Sequence, residues 1–429
     1  MAQGPLSGFR DLLAEEMIPL QAMLDTIRRV YESYGFLPLK TPALERYETL
    51  AGKYGEEGEK LMYKFEDHGG RKVALRYDLT VPLARVVTQY GSQLPMPYKR
   101  YAVGEVWRGE RPQAGRYREF LQFDADVVGS ASPLADAEMV AMSFDAIAAL
   151  GAEATVRVNH RLILDALAKK AGVSGKDARR FIAAIDKLDK IGAEQVAADI
   201  KQNFSDQAAE LAGQYLAVDG EPQQRLAKVA ELLGPAAKPG IDSLSVVFET
   251  LEAMGYSADK AVFDHTIARG LDYYTGIVYE TVLKDAPEIG SVAAGGRYDN
   301  LIKALGGPDL PAVGTSVGVD RLFEGLKQLK AHKPAKTHAR VLIVNFKMAD
   351  GPKYAKVAAE LRTAGVPTEV YYNETDLGKQ VGYADKMGIP YVLLMGPDEL
   401  AKDSALIKDL KSGDQKGVAL DEIVGTLST

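Results

Sequence analysis

The sequence predicts an α+β protein: a sheet whose strands are scattered along the chain, flanked by helices, interrupted by a helical insertion and followed by a separate C-terminal α/β domain. Three observations carry this reading. Short β-rich segments between 63 and 128 are joined by Gly- and Pro-containing turns, the pattern of hairpins. From about 170 to 255 Ala, Leu, Lys, Glu and Gln dominate while β-branched and aromatic residues thin out, which favours helix. After a polar, Pro-containing stretch at 332–337, β-like and helix-like segments alternate, as in a layered α/β unit.

The elements follow in order. Met23, Leu24, Ile27, Val30, Tyr31 and Tyr34 recur at three- and four-residue steps and Gly35 follows, predicting an amphipathic helix over about 14–34 that stops at the glycine. Tyr63–Phe65 and Val73–Tyr77, separated by His68-Gly-Gly70, predict a hairpin. Residues 98–108 and 117–128 read as strands joined by the Gly/Pro loop Gly109–Gly115. Strand-like sequence returns at Leu271–Leu283 and Val313–Val317, and Asp320–Lys330 looks helical. In the last segment Val341–Val344, Thr368–Tyr372 and Tyr391–Met395 read as strands alternating with helices over 353–364 and 376–387.

Composition removes several function classes. A length of 429 residues suggests roughly two to four domains, each able to bury a core. The 59 acidic residues outnumber 52 basic ones for a net charge of -7, so a nucleic-acid partner needs a local basic patch rather than a global field. With no cysteine, disulfides, thiolate catalysis and cysteine-ligated metals are excluded, and a reducing, cytoplasmic setting fits. The N-terminal residues lack a basic stretch followed by an apolar one, and no apolar run approaches the roughly 18 residues of a membrane helix; the expectation is a soluble protein without membrane association.

Familiar phosphate loops are missing: there is no G-x-x-x-x-G-K-[ST], and no G-x-G-x-x-G follows a strand. The five histidines, at 68, 160, 265, 332 and 338, include no pair at H-x-x-x-H spacing, so a metal cluster has no sequence support. The densest polar constellation runs from Trp107 to Asp126. Between Lys99 and Glu119 six basic residues (Lys99, Arg100, Arg108, Arg111, Arg116, Arg118) face three acidic ones (Glu105, Glu110, Glu119), a local +3 in an acidic protein. Strand periodicity then puts Phe120, Gln122, Asp124 and Asp126 on one face and Leu121, Phe123, Ala125 and Val127 on the other. A solvated face with surface ion pairs is one reading; arginines flanking a flexible loop beside a carboxylate-lined strand also suit a phosphorylated, amine-bearing substrate pair.

Two further clusters bear on that choice. Arg269-Gly-Leu-Asp-Tyr-Tyr274, followed by Ala294-Gly-Gly-Arg-Tyr-Asp299, places paired tyrosines among glycines, which alone also fits core aromatics at a turn. In Val313–Phe323 a small-residue strand turns directly into a helix with Arg321 in its first turn. A cation there opposes the helix dipole unless an anion sits nearby, a hint of phosphate binding.

These residues carry a resemblance. Arg108 and Glu110 with their loop and Phe120 resemble the second motif of class II aminoacyl-tRNA synthetases, Gly318–Arg321 the third, and Pro42 after the long helix the dimer-forming first. Arg269–Tyr274 and Ala294–Asp299 resemble the two stretches peculiar to histidyl-tRNA synthetases, and Lys379–Lys386 is similar to that family as well. The resemblance implies an antiparallel class II sheet core. It divides the chain into catalytic core at 1–169 and 256–331, helical insertion at 170–255, linker at 332–337 and anticodon-binding domain at 338–429. It also implies ATP-dependent activation of L-histidine and transfer to tRNA(His) by a homodimer, with Mg²⁺ carried by ATP. On the matching positions, Arg108 would hold the α-phosphate with Arg269 as a second cation. Glu110 and Phe120 would contact and stack the adenine, Arg321 would bind the far end of the triphosphate, and Arg116 would meet ATP and the tRNA acceptor end. Asp78, Thr80 and Gln122 would receive the amino group, while Asp126 and Tyr274 would read the imidazole, with Arg269 and Tyr273 beside them in the histidine site. The chain departs from many bacterial members, which carry Arg-Pro-Glu-Gly-Thr where it has Arg76–Thr80 and Glu where it has Asp126; the shorter acids resemble another branch, and each must sit roughly 1 Å closer to its ligand.

Two rivals remain to be separated. A non-catalytic paralogue that regulates ATP phosphoribosyltransferase shares the core but is expected to lack the anticodon-binding domain and an intact Arg269–Tyr274 stretch. A pure RNA-binding module would not need Arg108, Arg269 and Arg321 beside a carboxylate pocket, and would not exchange pyrophosphate into ATP with histidine.

Overall fold

A computed structural model describes residues 4–113, 115–268, 273–331 and 334–428. The chain forms two compact units, one from Met1–Asp11 with Met23–His332 and the other from Leu12–Ala22 with Lys333–Thr429.

The first unit is built on an eight-stranded sheet. Its strands are β1 (Leu37–Pro38), β5 (Tyr98–Trp107), β6 (Glu119–Val128), β7 (Ala154–His160), β8 (Ala261–Phe263), β9 (Ile277–Leu283), β10 (Ser291–Arg297) and β11 (Ala312–Gly318), in the order β1-β5-β6-β11-β10-β9-β7-β8. The six central strands are antiparallel, whereas β1 pairs with β5 and β8 with β7 in parallel. The expected antiparallel core is present in these six strands, and at its margins long connections, from β1 to β5 and from β7 to β8, allow parallel pairing where a tight turn would not. A three-stranded sheet of β2 (Leu44–Arg46), β3 (Lys64–Glu66) and β4 (Lys72–Leu75) contains the predicted hairpin.

The alternation in β6 does what period two requires. Phe123 packs on Tyr31 of the helix Ala14–Ser33 and on Tyr101, with ring centroids 5.0 and 5.7 Å apart, while the opposite face carries the polar residues described below. Strand-like sequence at Leu271–Leu283 becomes a strand only from Ile277; Arg269–Asp272 lie outside the described residues. The Tyr273 ring sits between those of Tyr274 and Tyr298, at 5.2 and 5.7 Å, and Thr275 is tied by its hydroxyl to Asp299, so aromatic packing replaces pleating there.

Helices Gly175–Ile185, Leu188–Asn203, Asp206–Leu216, Pro222–Leu233 and Lys238–Ala253 fill the region read as helical, the second kinked at Gly192. The Tyr215 hydroxyl in this group donates to His265 O at 2.8 Å, and Asn159 Nδ2 donates to His265 O and Ile267 O, fixing the segment that leads toward Arg269. In the second unit β12 (Val341–Ile343), β13 (Thr368–Val370) and β14 (Tyr391–Leu394) pair in parallel, joined by helices Gly351–Thr363 and Leu377–Met387. The unpredicted hairpin β15 (Ser404–Asp409) and β16 (Gln415–Ala419) extends the sheet antiparallel to β14. Among the described residues no helix is long and apolar enough to cross a membrane.

Candidate active site

A cavity of about 700 Å³ opens on the polar face of the central strands. Asp78, Thr80, Arg108, Glu110, Arg116, Phe120, Gln122, Asp126, Tyr273, Tyr274 and Arg321 all line it. Arg269 is outside the described residues. Eleven positions spread over more than 240 residues therefore converge, because β6, β11, β10 and β9 lie side by side and residues of the segment 77–80 line the same cavity.

Each described arginine of the cavity is held in place by its neighbours. Arg108 Nε donates to Tyr77 O at 3.1 Å, and its guanidinium lies 4.4 Å from the Tyr77 ring and 5.1 Å from the Phe120 ring. Stacking of this kind fixes the plane of an arginine without neutralising it. Glu110 and Arg116 form an ion pair at 2.8 Å, and paired backbone bonds between Gln113 and Arg116 close the loop tip. Arg321 lies in the first turn of the helix Val319–Gln328 and donates to Ser291 O at 2.8 Å. The same turn carries Asp320, which accepts the Leu121 N–H at 2.9 Å and the Arg10 guanidinium, so an acid answers the dipole beside the arginine.

Buried carboxylates line the same cavity. Asp78, 3 % exposed, accepts from the Tyr54 hydroxyl and the Val81 N–H at 3.0 Å each and faces the Tyr273 hydroxyl at 3.4 Å. Burial raises its affinity for a proton, opposed by those hydrogen bonds and by Arg108. Gln122 Nε2 donates to Ser316 Oγ at 2.9 Å. Asp126, 2 % exposed, meets Arg100 at 2.5 Å and accepts from the Tyr298 hydroxyl; burial raises its pKa while Arg100 pulls it down. Burial likewise keeps the Tyr273 and Tyr274 hydroxyls protonated, so both can donate. Glycines leave this floor open: a Cβ on Gly295 would stand 2.3 Å from Gly314 O and 2.4 Å from the Tyr279 hydroxyl.

Sequence reasoning missed Arg100, Tyr54, Tyr298 and Arg10 as partners of the site residues. Arg100 sits directly across from Asp126 in the β5–β6 register and is fully buried; the signal was an arginine at an inward position opposite an acid, visible only once the register is known. Among the described residues no cluster of three or more metal-ligating side chains could hold an ion.

Arginines suited to phosphate and buried carboxylates thus share one cavity on the face of an antiparallel array. Comparison with known proteins narrows this. The family model described as histidyl-tRNA synthetase matches residues 8–322, and that described as anticodon binding domain matches 338–429. The chain is 43 % identical to the histidine–tRNA ligase of Gloeobacter violaceus, over 97 % of this chain and 96 % of that protein. It is 40 % identical to that of Rhodopirellula baltica over 96 % and 95 %. The crystal structure of histidyl-tRNA synthetase from Nostoc superposes with a TM-score of 0.88 at 34 % identity, covering 100 % and 99 % of the two chains. The chain belongs to the histidyl-tRNA synthetase family.

Proposed function

We propose that this chain joins L-histidine to ATP, giving histidyl-adenylate and pyrophosphate, and then transfers the histidyl group to tRNA(His). The observation that carries this is one cavity lined both by the arginines Arg108 and Arg321 and by the buried acids Asp78 and Asp126. The α-carboxylate of histidine is already ionised at pH 7 and needs no general base; positioning and charge stabilisation supply the rate. Arg108, clamped by Tyr77 and Phe120, holds the α-phosphate, with Arg269 as a second cation there. Phe120 stacks the adenine, Glu110 contacts it, and Arg321 takes the far phosphates, with Mg²⁺ entering as part of the ATP substrate. Arg116 would exchange Glu110 for ATP and the acceptor end. Asp78, Thr80 and Gln122 receive the ammonium; Asp126 and Tyr274 read the ring, with Tyr273 bracing Asp78. Residues 338–429 dock the anticodon, the helical segment 170–255 is an insertion between core parts 1–169 and 256–331, 332–337 is the linker, and the chain works as a cytoplasmic homodimer.

The match of 338–429 to an anticodon-binding domain favours this over a regulatory paralogue. Histidine-dependent exchange of labelled pyrophosphate into ATP, followed by charging of tRNA(His), tests it; absence of exchange with a folded chain would refute the enzymatic reading.

A further inference from the structure

We propose that histidine is bound with its ring as the imidazolium cation and that Asp124 is the carboxylate that balances the added charge. The proposal rests on the histidine-activating reading above. Asp124 projects from the same face of β6 as Asp126, about 7 Å further along the strand. It is 1 % exposed yet lines the cavity, and its Oδ1 has no hydrogen-bond partner. Ser316 bonds the carboxyl and Arg100 attracts it, yet a buried carboxylate oxygen left without a partner is costly, and one lining a ligand cavity calls for a cation or a proton.

The surrounding groups do not supply that cation in full. From β5, Arg100 brings one charge to two acids: it contacts Asp126 Oδ2 and Leu79 O, the latter at 3.2 Å, while its Nε and Nη1 make no hydrogen bond. From the segment before the helix Thr80–Tyr90 come Arg76, whose guanidinium is spent on Glu105 O and Thr41 O, and the acid Asp78. β11 offers the Ser316 hydroxyl, and β6 itself adds Gln122 and Asp126. Tyr274, Tyr298 and Glu280 face the pocket from the far strands, and Tyr31 lies behind the sheet, so these add hydroxyls and another acid but no positive charge.

In the reading above the substrate ammonium answers Asp78. A neutral imidazole can give its one N–H to Asp126 and accept from the Tyr274 hydroxyl at its bare nitrogen, but it brings no positive charge to answer Asp124. A second ring proton brings that charge. The Tyr274 hydroxyl can receive as well as give, so it can pair with either ring form. Burial pushes the Asp124 carboxyl up to about 7, against the pull of Arg100 and with the help of Asp126, close to the ordinary imidazole value of about 6.5; each group then stabilises the charged form of the other.

The test uses the full chain at pH 8, where free histidine has a neutral ring. The ¹⁵N spectrum of ring-labelled histidine bound to the unaltered protein should show both nitrogens protonated; one bare nitrogen would overturn the proposal. Calorimetric titration at pH 7.5 in phosphate and in Tris should reveal uptake of about half a proton or more per histidine, from the two free-state pKa values. Because a proton is taken up, histidine affinity should fall as pH rises above 7, approaching tenfold per unit. Asp124→Asn should abolish the uptake and weaken histidine about tenfold, one unit of ring pKa, with ATP affinity retained. Uptake unchanged in that variant would remove Asp124 from the role. Absence of any histidine binding would refute the functional reading, whereas tight binding without proton uptake would refute this inference alone.

Discussion

Gly314 stands directly across the β6–β11 ladder from Asp126, and a Cβ on it would lie 2.0 Å from Asp126 Oδ1. The carboxylate occupies space that only a hydrogen side chain leaves free. Asp126 cannot swing away, because Arg100 and Tyr298 hold it from two sides.

Gly314→Ala should therefore displace Asp126. Overpacking of this kind costs about 1–3 kcal/mol. We expect a lowered melting temperature and a histidine KM raised at least tenfold, with the KM for ATP near wild type. Equal losses for both substrates in steady-state exchange kinetics would show that the damage is general.

Asp126 needs two substitutions to separate its roles. Asp126→Ala removes the ion-pair partner of the buried Arg100, a kind of loss that typically costs about 3–5 kcal/mol, so reduced stability alone says nothing about substrate. Asp126→Asn keeps the shape and the Tyr298 contact. It should stay folded while histidine KM rises and ATP KM holds; an unchanged histidine KM in a folded Asn variant would remove Asp126 from ring recognition.

Arg10 acts at a distance from the substrates. Its guanidinium lies 3.3 Å from the centre of the Tyr117 ring and is paired with Asp320, which also holds the Leu121 N–H. Arg10→Ala should slow adenylate formation about tenfold, the equivalent of one such charged contact of about 1.4 kcal/mol, with little change in histidine KM. Arg10→Lys should recover part of the rate by restoring the ion pair without the stacking. Single-turnover adenylation decides; identical rates in all three proteins would make Arg10 a surface feature.

His160 predicts a pH dependence of stability. Its Nδ1 accepts the Leu162 N–H at 3.2 Å and so caps the helix Arg161–Lys170, and burial, with Arg297 nearby, lowers its pKa to about 4. The unfolded chain takes up the proton near 6.5 while the folded one does not until about 4. The stabilisation is thus complete above 6.5 and is lost as pH falls toward 4, by about 1.4 kcal/mol per unit. His160→Asn keeps a capping oxygen and should flatten that part of a urea-unfolding profile taken from pH 4.5 to 7; a slope equal to wild type would assign the effect to other groups.

How much of this was legible in the sequence depended on the range of the interaction. The polar face Phe120-Gln122-Asp124-Asp126 follows from strand periodicity alone, and all four line the cavity. The Arg100 partner of Asp126 depends on the β5–β6 register, which the loop Gly109–Gly115 sets only when its geometry is known. The Arg10–Asp320 pair spans 310 positions, beyond any local pattern. β16, with Gln415, Lys416 and Gly417 exposed, lacks an apolar alternation and was unreadable for that reason, whereas the buried run Val341–Ile343 was plain.

The Leu121–Asp320 contact joins residues 199 positions apart, and it closes the central ladder of the sheet. A ribosome making this chain therefore releases β5 and β6 long before their neighbour β11 exists. Until then the inner edge of β6, with Gln122, Asp124 and Asp126, has no strand to pair with, and loop closure over the whole insertion must precede the contact. The nascent chain is in effect a half-sheet with an open edge while everything between β6 and β11 is being made, the state in which edge-to-edge association is most dangerous. Acids on that edge repel a second copy of the same strand, so the residues proposed to read the substrate in the finished protein also guard the unfinished one.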